Sequence, residues 1–258
     1  MKNLKTDLEI KGYCKLDQKI DLSFVEKINK NLPKIFKKHE LIRRENKNPI
    51  KSNGIAINAL VGSDVLLECL QMLINNGVVD WIEENYFNTH CILNSFSALS
   101  NIPGENKVFH RNVHRDIRGF SYPSPLLLNM LIMLDDFTEE NGATLLLPKS
   151  HKENKKPSDL YFNNNAVKTI GKAGDILIWN SNLYHASGVN ETNKIRRALP
   201  ITFSLPYYKQ LLDYPRAIGY DKSKEFNNKM SALLGYDARV PDKIENWYAP
   251  LDKLLYKN

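Results

Sequence analysis

The chain has 258 residues, of which 42% are hydrophobic and 25% charged, a balance typical of a globular protein with one large core. No apolar run reaches the roughly 18 residues that a membrane-spanning helix needs. The first residues contain no apolar signal core, so we expect a cytoplasmic protein without a membrane partner. The formal net charge of +7 comes from scattered lysines, which argues against a nucleic-acid partner. The sequence carries no signal for an oligomeric state.

Helical patterns dominate the first third of the chain. Residues 9–16 are predicted to form a short opening strand with a glycine turn. Ser23 and Glu26 then have the spacing of a capping box, and apolar residues follow at helical intervals. Pro33 is expected to kink or shorten this helix, and residues 37–53, rich in Lys, Arg, Glu and Asn, are expected to form a polar connection. Two further helices are predicted, over residues 64–76 and 78–86.

Short extended runs begin at residue 90, separated by turn signals. Strands are predicted near residues 90–99, 108–116, 126–135, 143–147, 166–170, 175–179, 183–187 and 197–205. The run 126–134 is apolar on both faces, which favours a central strand covered by the N-terminal helices. Ser223 is expected to cap a helix in the tail.

These elements predict a mainly β fold with α-helices. Its core is a double-stranded β-helix, the jelly roll of cupin-like proteins, over about residues 90–205. N-terminal and C-terminal helices cover this core, and the absence of repeats or a linker indicates a single domain over residues 1–258.

His114 and Asp116 form the most informative pair in the sequence. Two residues apart on a strand, their side chains project to the same side. With a histidine from another strand they would form the 2-His-1-carboxylate face that binds a redox-active iron. His110 competes for this role, but Asn112 stands where its carboxylate would be required. The alternative for the pair is an ion pair on the protein surface.

The third ligand is expected to come from a later pair of strands. A turn at Gly174 starts one strand, the chain reverses, and His185 begins the next. Arg196 and Arg197 then open an otherwise apolar strand. An arginine at that place needs a partner, and a small dicarboxylate would pair with its guanidinium in a bidentate way. The alternative is an arginine exposed to water at the rim.

Short motifs follow one another from His114 to Arg196. They are His114-Arg115-Asp116, Leu134-Asp135-Asp136, Glu140-Asn141-Gly142-Ala143, Leu147-Pro148-Lys149-Ser150-His151, Gly174-Asp175 and His185-x-Ser187-Gly188-x-Asn190 followed by Arg196. In this order the chain resembles the phytanoyl-CoA dioxygenase family of iron(II)- and 2-oxoglutarate-dependent oxygenases. The resemblance covers about half of the chain.

The resemblance implies roles for particular residues. His114, Asp116 and His185 match the iron ligands of the family. Arg196 matches the arginine that binds the distal carboxylate of 2-oxoglutarate, and Ser187 matches the hydroxyl beside it. Arg197 does not fit the family spacing.

Three further residues are assigned to the site, each with an alternative. Asn129, a lone amide in an apolar strand, is expected to bind the other carboxylate of 2-oxoglutarate, or else a neighbouring backbone group. Arg118 would lie on the ligand side of the strand and contact an anionic substrate, unless it is a surface arginine. Trp179 would line the substrate pocket, unless it belongs to the core.

The implied cofactors are iron(II), 2-oxoglutarate as co-substrate, and O2. The implied reaction is hydroxylation of a small molecule with release of succinate and CO2, because Asp116 occupies the position that halogenating relatives leave open to chloride. One alternative is a cupin-like isomerase or hydrolase that uses the same ligands without 2-oxoglutarate. Another is a non-catalytic binding protein on the same fold. The family acts on many kinds of compound, so the resemblance leaves the substrate unidentified.

Overall fold

The computed structural model describes residues 2–17, 19–48, 54–104 and 111–250. The helices are α1 (Lys2–Lys11), α2 (Leu22–Glu45), α3 (Asp64–Asn75), α4 (Val78–Ile82), α5 (Asp159–Asn165), α6 (Tyr214–Ile218), α7 (Asn228–Leu234) and α8 (Ile244–Trp247). The strands are β1 (Tyr13–Leu16), β2 (Ile55–Ala56), β3 (Ile92–Phe96), β4 (Ala98–Asn101), β5 (Leu127–Met133), β6 (Thr144–Leu146), β7 (Val167–Lys168), β8 (Ile176–Asn180), β9 (His185–Ser187) and β10 (Arg196–Ser204).

Two antiparallel sheets form the β core. The larger sheet has the order β1-β8-β5-β10-β4-β2, and β3 pairs with β10 beside β4. The smaller sheet has the order β7-β6-β9. Strands that are distant in sequence are neighbours in both sheets, as a jelly roll requires. The predicted fold class, a jelly-roll core with helices at both ends of the chain, is confirmed.

The large sheet is buried on both faces. Every residue of β5 is buried, as expected for the apolar run. Leu128, Met130 and Ile132 join the apolar cluster formed with the helices, whereas Leu131 and Met133 join a second cluster that includes residues of β6 and β8. Alternation along β5 therefore separates a helix-covered face from an inner face between the two sheets. The inner face carries the candidate site.

The N-terminal region differs from the sequence prediction. Residues 9–11 belong to helix α1, and only residues 13–16 form the opening strand, because Gly12 ends the helix with φ of +89°. Helix α2 continues through Pro33 to Glu45, so the polar connection predicted from residue 37 is wrong; residues 49–53 lie outside the described residues. Pro33 is exposed, and burial of Val25, Ile28, Leu32 and Ile35 on the opposite face maintains the helix on both sides of it.

Two predicted helix caps are wrong. Asp21, not Ser23, is the N-cap of α2, and it makes no side-chain capping bond. In the tail, residues 220–225 form a 3-10 helix, and the next α-helix starts later, where Asn227 accepts a hydrogen bond from the Met230 N–H. The two helices predicted over 64–76 and 78–86 are present, although the second changes to a π-helical turn at Glu83–Phe87.

No single helix in the described part of the chain is both long enough and apolar enough to cross a membrane. The bent pair Asp64–Asn75 and Val78–Phe87 meets both conditions together, by length and composition alone.

Candidate active site

The segment that carries His114 and Asp116 runs beside the small sheet. His114 and His185 form an isolated antiparallel bridge, in which the His114 N–H donates to the His185 carbonyl (3.1 Å) and the reverse bond is 2.9 Å long. The strand predicted over 108–116 is reduced to this bridge: residues 111–116 form no further strand, and 108–110, including His110, lie outside the described residues. The bridge nevertheless places His114 directly against His185.

His114, Asp116 and His185 converge on one point. One potential ligand atom from each lies within 4.8 Å of the others. Nε2 of His114 is 3.6 Å from one carboxylate oxygen of Asp116, and Nε2 of His185 is 3.4 Å from the other. His185 is buried, whereas Asp116 has 36% of its side-chain surface exposed. This donor set fits a divalent metal that keeps open coordination positions.

Both imidazoles are oriented by their other nitrogen. The Nδ1–H of His114 donates to the Asn112 carbonyl (2.7 Å), and the Nδ1–H of His185 donates to the Leu183 carbonyl (3.0 Å). With Nδ1 donating to a backbone carbonyl, each ring turns its Nε2 toward Asp116, where it could bind a metal in its neutral form. Backbone acceptors of this kind commonly fix the tautomer of metal-binding histidines.

The charges of the three groups depend on one another. Burial tends to raise the pKa of Asp116, but His185 and His114 outweigh it, so the pKa is lowered and the group stays a carboxylate. Burial lowers the pKa of His185, which favours its neutral form. Burial also acts on His114, yet the contact with Asp116 dominates and the pKa of His114 is raised. A bound metal cation would pair with the Asp116 carboxylate and would require both imidazoles in their neutral form. Metal binding would therefore displace any proton held between these groups.

Asn129 contacts the carboxylate of Asp116. Its Nδ2 donates to Oδ2 of Asp116 at 2.7 Å, and its Oδ1 accepts from the Thr202 hydroxyl at 3.1 Å. Asn129 is buried on the inner face of β5. The observed contact is therefore with a candidate metal ligand, and the predicted contact with 2-oxoglutarate stays a prediction.

Arg196 is buried at the start of β10 with incomplete hydrogen bonding. Its side chain is 1% exposed, and Nη2 donates to the Gly142 carbonyl (2.8 Å) and to Oγ of Ser187 (3.0 Å). Nε and Nη1 have no acceptor among the described residues. The guanidinium lies 4.2 Å over the ring of Phe137, and burial lowers its pKa to about 9. A buried cation with two unused donors is costly unless an anion binds there.

Arg197, the adjacent residue, is paired with a carboxylate of the protein. Its Nε and Nη2 donate to the two carboxylate oxygens of Asp135 at 2.9 and 2.6 Å. The Arg197 N–H donates to the same carboxylate. Arg197 is therefore satisfied within the protein, in contrast to Arg196.

A cavity of about 600 Å³ opens beside the three convergent residues. Its lining includes Asp116, Asn129, Trp179 and Arg118. Trp179 is buried and packs edge-on against His185, with ring centroids 5.2 Å apart, and its indole N–H has no acceptor among the described residues. Arg118 is exposed at the wall. Both residues assigned to substrate binding from the sequence thus line one cavity with Asp116.

Several residues around the site were missed by the sequence analysis. Asn101 on β4 donates to the Gly188 carbonyl (3.0 Å) and to Oγ of Ser187 (3.3 Å), so it supports the hydroxyl that contacts Arg196. Phe137 and Gly142 complete the surroundings of Arg196. Gly142 was recognised as part of the motif Glu140-Asn141-Gly142-Ala143, but no contact with Arg196 was assigned to it. No local pattern signals Asn101, because its contacts come from elements far away in sequence.

Fold and site together define a jelly-roll protein with a 2-His-1-carboxylate face. The model of the phytanoyl-CoA dioxygenase family matches residues 12–198, which is more than half of the chain. The chain belongs to the phytanoyl-CoA dioxygenase family.

Two relatives illustrate the sequence similarity. An uncharacterised protein of Mycobacterium tuberculosis is 34% identical over 166 residues, 64% of this chain and 59% of the relative. The dioxygenase cdmD of Talaromyces verruculosus is 30% identical over 163 residues, 59% of this chain and 52% of the relative. The chain thus spans little more than half the length of these relatives.

Solved structures share the fold at low sequence identity. The non-heme alpha-ketoglutarate-dependent epimerase SnoN of nogalamycin biosynthesis has a TM-score of 0.56 and 17% identity, over 80% of this chain and 83% of SnoN. EvdMO1 has a TM-score of 0.58 and 18% identity, over 79% of this chain and 50% of EvdMO1. At these identities the comparison supports the jelly-roll architecture.

Proposed function

We propose that this protein is an iron(II)- and 2-oxoglutarate-dependent oxygenase that hydroxylates a small organic molecule. One substrate C–H bond, O2 and 2-oxoglutarate would be converted to a C–OH bond, succinate and CO2. Iron supplies O2 activation when bound at His114, Asp116 and His185. Membership of the dioxygenase family and the donor set of these residues support this proposal.

Arg196 is the single observation that carries the assignment of 2-oxoglutarate. Its Nε and Nη1 donors have no acceptor in a buried site, and a carboxylate bound there would supply the anionic partner that the guanidinium lacks. Ser187 would donate its hydroxyl proton to the same carboxylate, since its oxygen already accepts from Arg196. The aromatic ring of Phe137 excludes water from one face of the guanidinium.

The other residues of the site orient the metal ligands or border the space for the substrate. The carbonyls of Asn112 and Leu183 hold the two imidazoles with Nε2 inward, and Asn129 fixes the carboxylate of Asp116. Trp179 borders the reaction space and offers its N–H to a ligand there, whereas Arg118 lies where substrate would enter. Asp116 occupies the third ligand position, which favours hydroxylation over halogenation. We propose that residues 1–258 form one such domain and that its location is cytoplasmic.

Two alternatives make different predictions. A metal-dependent isomerase or hydrolase without 2-oxoglutarate would give the buried Arg196 no anion to bind. A non-catalytic binding protein would not need an aligned set of three metal ligands with oriented imidazoles.

Anaerobic addition of iron(II) and then 2-oxoglutarate to the purified protein tests the proposal. We expect a weak visible charge-transfer band that appears only when both are present, because 2-oxoglutarate chelates the iron. Aerobic incubation should then release succinate. Iron binding without the band would exclude the 2-oxoglutarate assignment and favour a cupin-like enzyme of the first alternative.

A further inference from the structure

The cavity beside the metal ligands has an unbalanced charge. Two cations line it, Arg118 and Lys209, and Asp116 is the one acid among the described lining residues. No hydrogen-bond or ion-pair acceptor contacts either cationic side chain within the described part of the chain. Some lysines elsewhere on the surface are paired, for example Lys168 with Glu139 at 2.8 Å and Lys172 with Asp136 at 2.8 Å.

The proposed cofactors would not neutralise these two cations. A divalent metal, Asp116, Arg196 and the dianion 2-oxoglutarate together carry no net charge. Arg118 and Lys209 therefore keep their charges uncompensated after iron and co-substrate have bound. A cavity wall with two uncompensated cations attracts an anion and repels a cation.

The segment that carries Lys209 is fixed in place. Asn94 donates to the Lys209 carbonyl (3.1 Å) and accepts from the Leu211 N–H (3.1 Å). Gln210 donates to the Leu93 carbonyl (2.6 Å). These bonds attach residues 209–211 to β3, and Lys209 lines the cavity as an exposed residue.

Apolar side chains lie at the same cavity and are exposed to water. Ile57 is 51% exposed, Leu211 is 58% exposed and Tyr207 is 76% exposed, and all three line the cavity. A ligand with an apolar body would cover them and gain from their burial. The volume of about 600 Å³ is within the range of sites for small organic ligands.

We infer that the substrate is an organic anion, a carboxylate or phosphate with an apolar body, whose charge is bound by Arg118 and Lys209. This inference rests on the proposed function, which places the reaction at this cavity. It names the chemical class of the substrate and the two residues that select it.

Calorimetric titration with a matched pair of probes tests the inference. Naphthylacetate and its primary amide have nearly the same shape and differ in charge. They are titrated into the anaerobic protein loaded with iron(II) and saturating 2-oxoglutarate. Two partly exposed ion pairs predict that the acid binds about tenfold more tightly than the amide. Added salt should reduce this preference.

Variants assign the preference to the two cations. Arg118→Gln combined with Lys209→Gln should reduce the acid–amide difference to less than about threefold. Lys222→Gln is the matched control, because Lys222 is an exposed lysine paired with Glu225 outside the cavity. Unchanged thermal unfolding would show that the double variant is folded, and Arg118→Lys should restore part of the preference.

Equal binding of acid and amide, binding of neither probe in the millimolar range, or a preference that persists in the double variant would overturn the inference. Failure of the proposed function is distinguishable, since it appears as the absence of the charge-transfer band. The titration would then be made on the protein as purified, where the two cations predict the same preference.

Discussion

The two faces of the large sheet differ in composition: the helix-covered face is apolar, whereas the inner face combines an apolar cluster with the polar groups of the site. On β10, Leu199, Ile201 and Phe203 point into the apolar cluster with the helices. Arg196 and Thr202, which alternate with them, contact polar groups of the site on the inner face. One strand therefore stabilises the fold through one face and positions polar groups through the other. Because polar groups are costly to bury, the helix-covered face has to supply the stability that the inner face lacks.

The comparison can first be tested on the helix-covered face. Phe203→Ala should lower the free energy of unfolding by about 3–5 kcal/mol, because a fully buried ring is lost and a cavity remains. Denaturant unfolding measures this loss. In the protein that remains folded at low temperature, the affinity for 2-oxoglutarate should be unchanged. A tenfold loss of that affinity would mean that the two faces are not independent.

The adjacent arginines test the inner face. Arg196→Leu should weaken the binding of 2-oxoglutarate about 30-fold or more, because the buried partner of a carboxylate is removed. Arg197→Leu should change it less than about threefold, because Arg197 pairs with Asp135 instead. Anaerobic calorimetry in the presence of iron(II) measures both. Equal losses in the two variants would show that Arg196 is not the specific anchor.

Asn129 provides a smaller test on the same face. Asn129→Leu keeps a side chain branched at Cγ but removes the hydrogen bond to Asp116. We expect the affinity for iron(II) to fall about 10-fold, as is typical when the partner of a metal ligand is lost. Thr202→Val is the control. The Thr202 hydroxyl bonds Asn129 and not Asp116, so its loss should reduce the iron(II) affinity less. An unchanged metal affinity in Asn129→Leu would contradict the orienting role.

Trp179 gives the smallest expected effect. Trp179→Phe keeps an aromatic ring beside His185 and removes only the unpartnered indole N–H. One lost hydrogen bond of about 0.5–1.5 kcal/mol predicts a two- to tenfold loss of affinity for 2-oxoglutarate or for an organic probe in the cavity. Iron affinity should not change. If no ligand affinity changes, the N–H has no ligand to bind.

The sequence predicted the elements whose signal is local. The apolar run of β5, the helix predicted over 64–76 and the positions of several strands along the chain follow from periodicity and turn residues. Helix α2 was predicted too short because Pro33 was given too much weight: the cost of one missing backbone bond is outweighed by the buried face on both sides of it.

The candidate site was predictable in its ligands and less so in its surroundings. His114 and Asp116 were identified by their spacing, on the expectation that both lie on one strand. In the structure that strand is reduced to an isolated bridge between His114 and His185. Asn129 was recognised as unusual, yet its partner Asp116 was not identified, because the contact depends on how two distant segments pack. Lys209 lies in a loop after the last strand, where nothing in the local sequence indicates a cavity.

The most direct test of the central claim is a titration of the metal-free protein with iron(II), compared among single variants. The account predicts one bound equivalent in the native protein, with binding lost in Asp116→Ala and in His185→Ala. His90→Ala is the matched control, because the His90 side chain is 85% exposed and lies outside the site, and it should still bind one equivalent. One equivalent bound with native affinity in His185→Ala or Asp116→Ala would contradict the account.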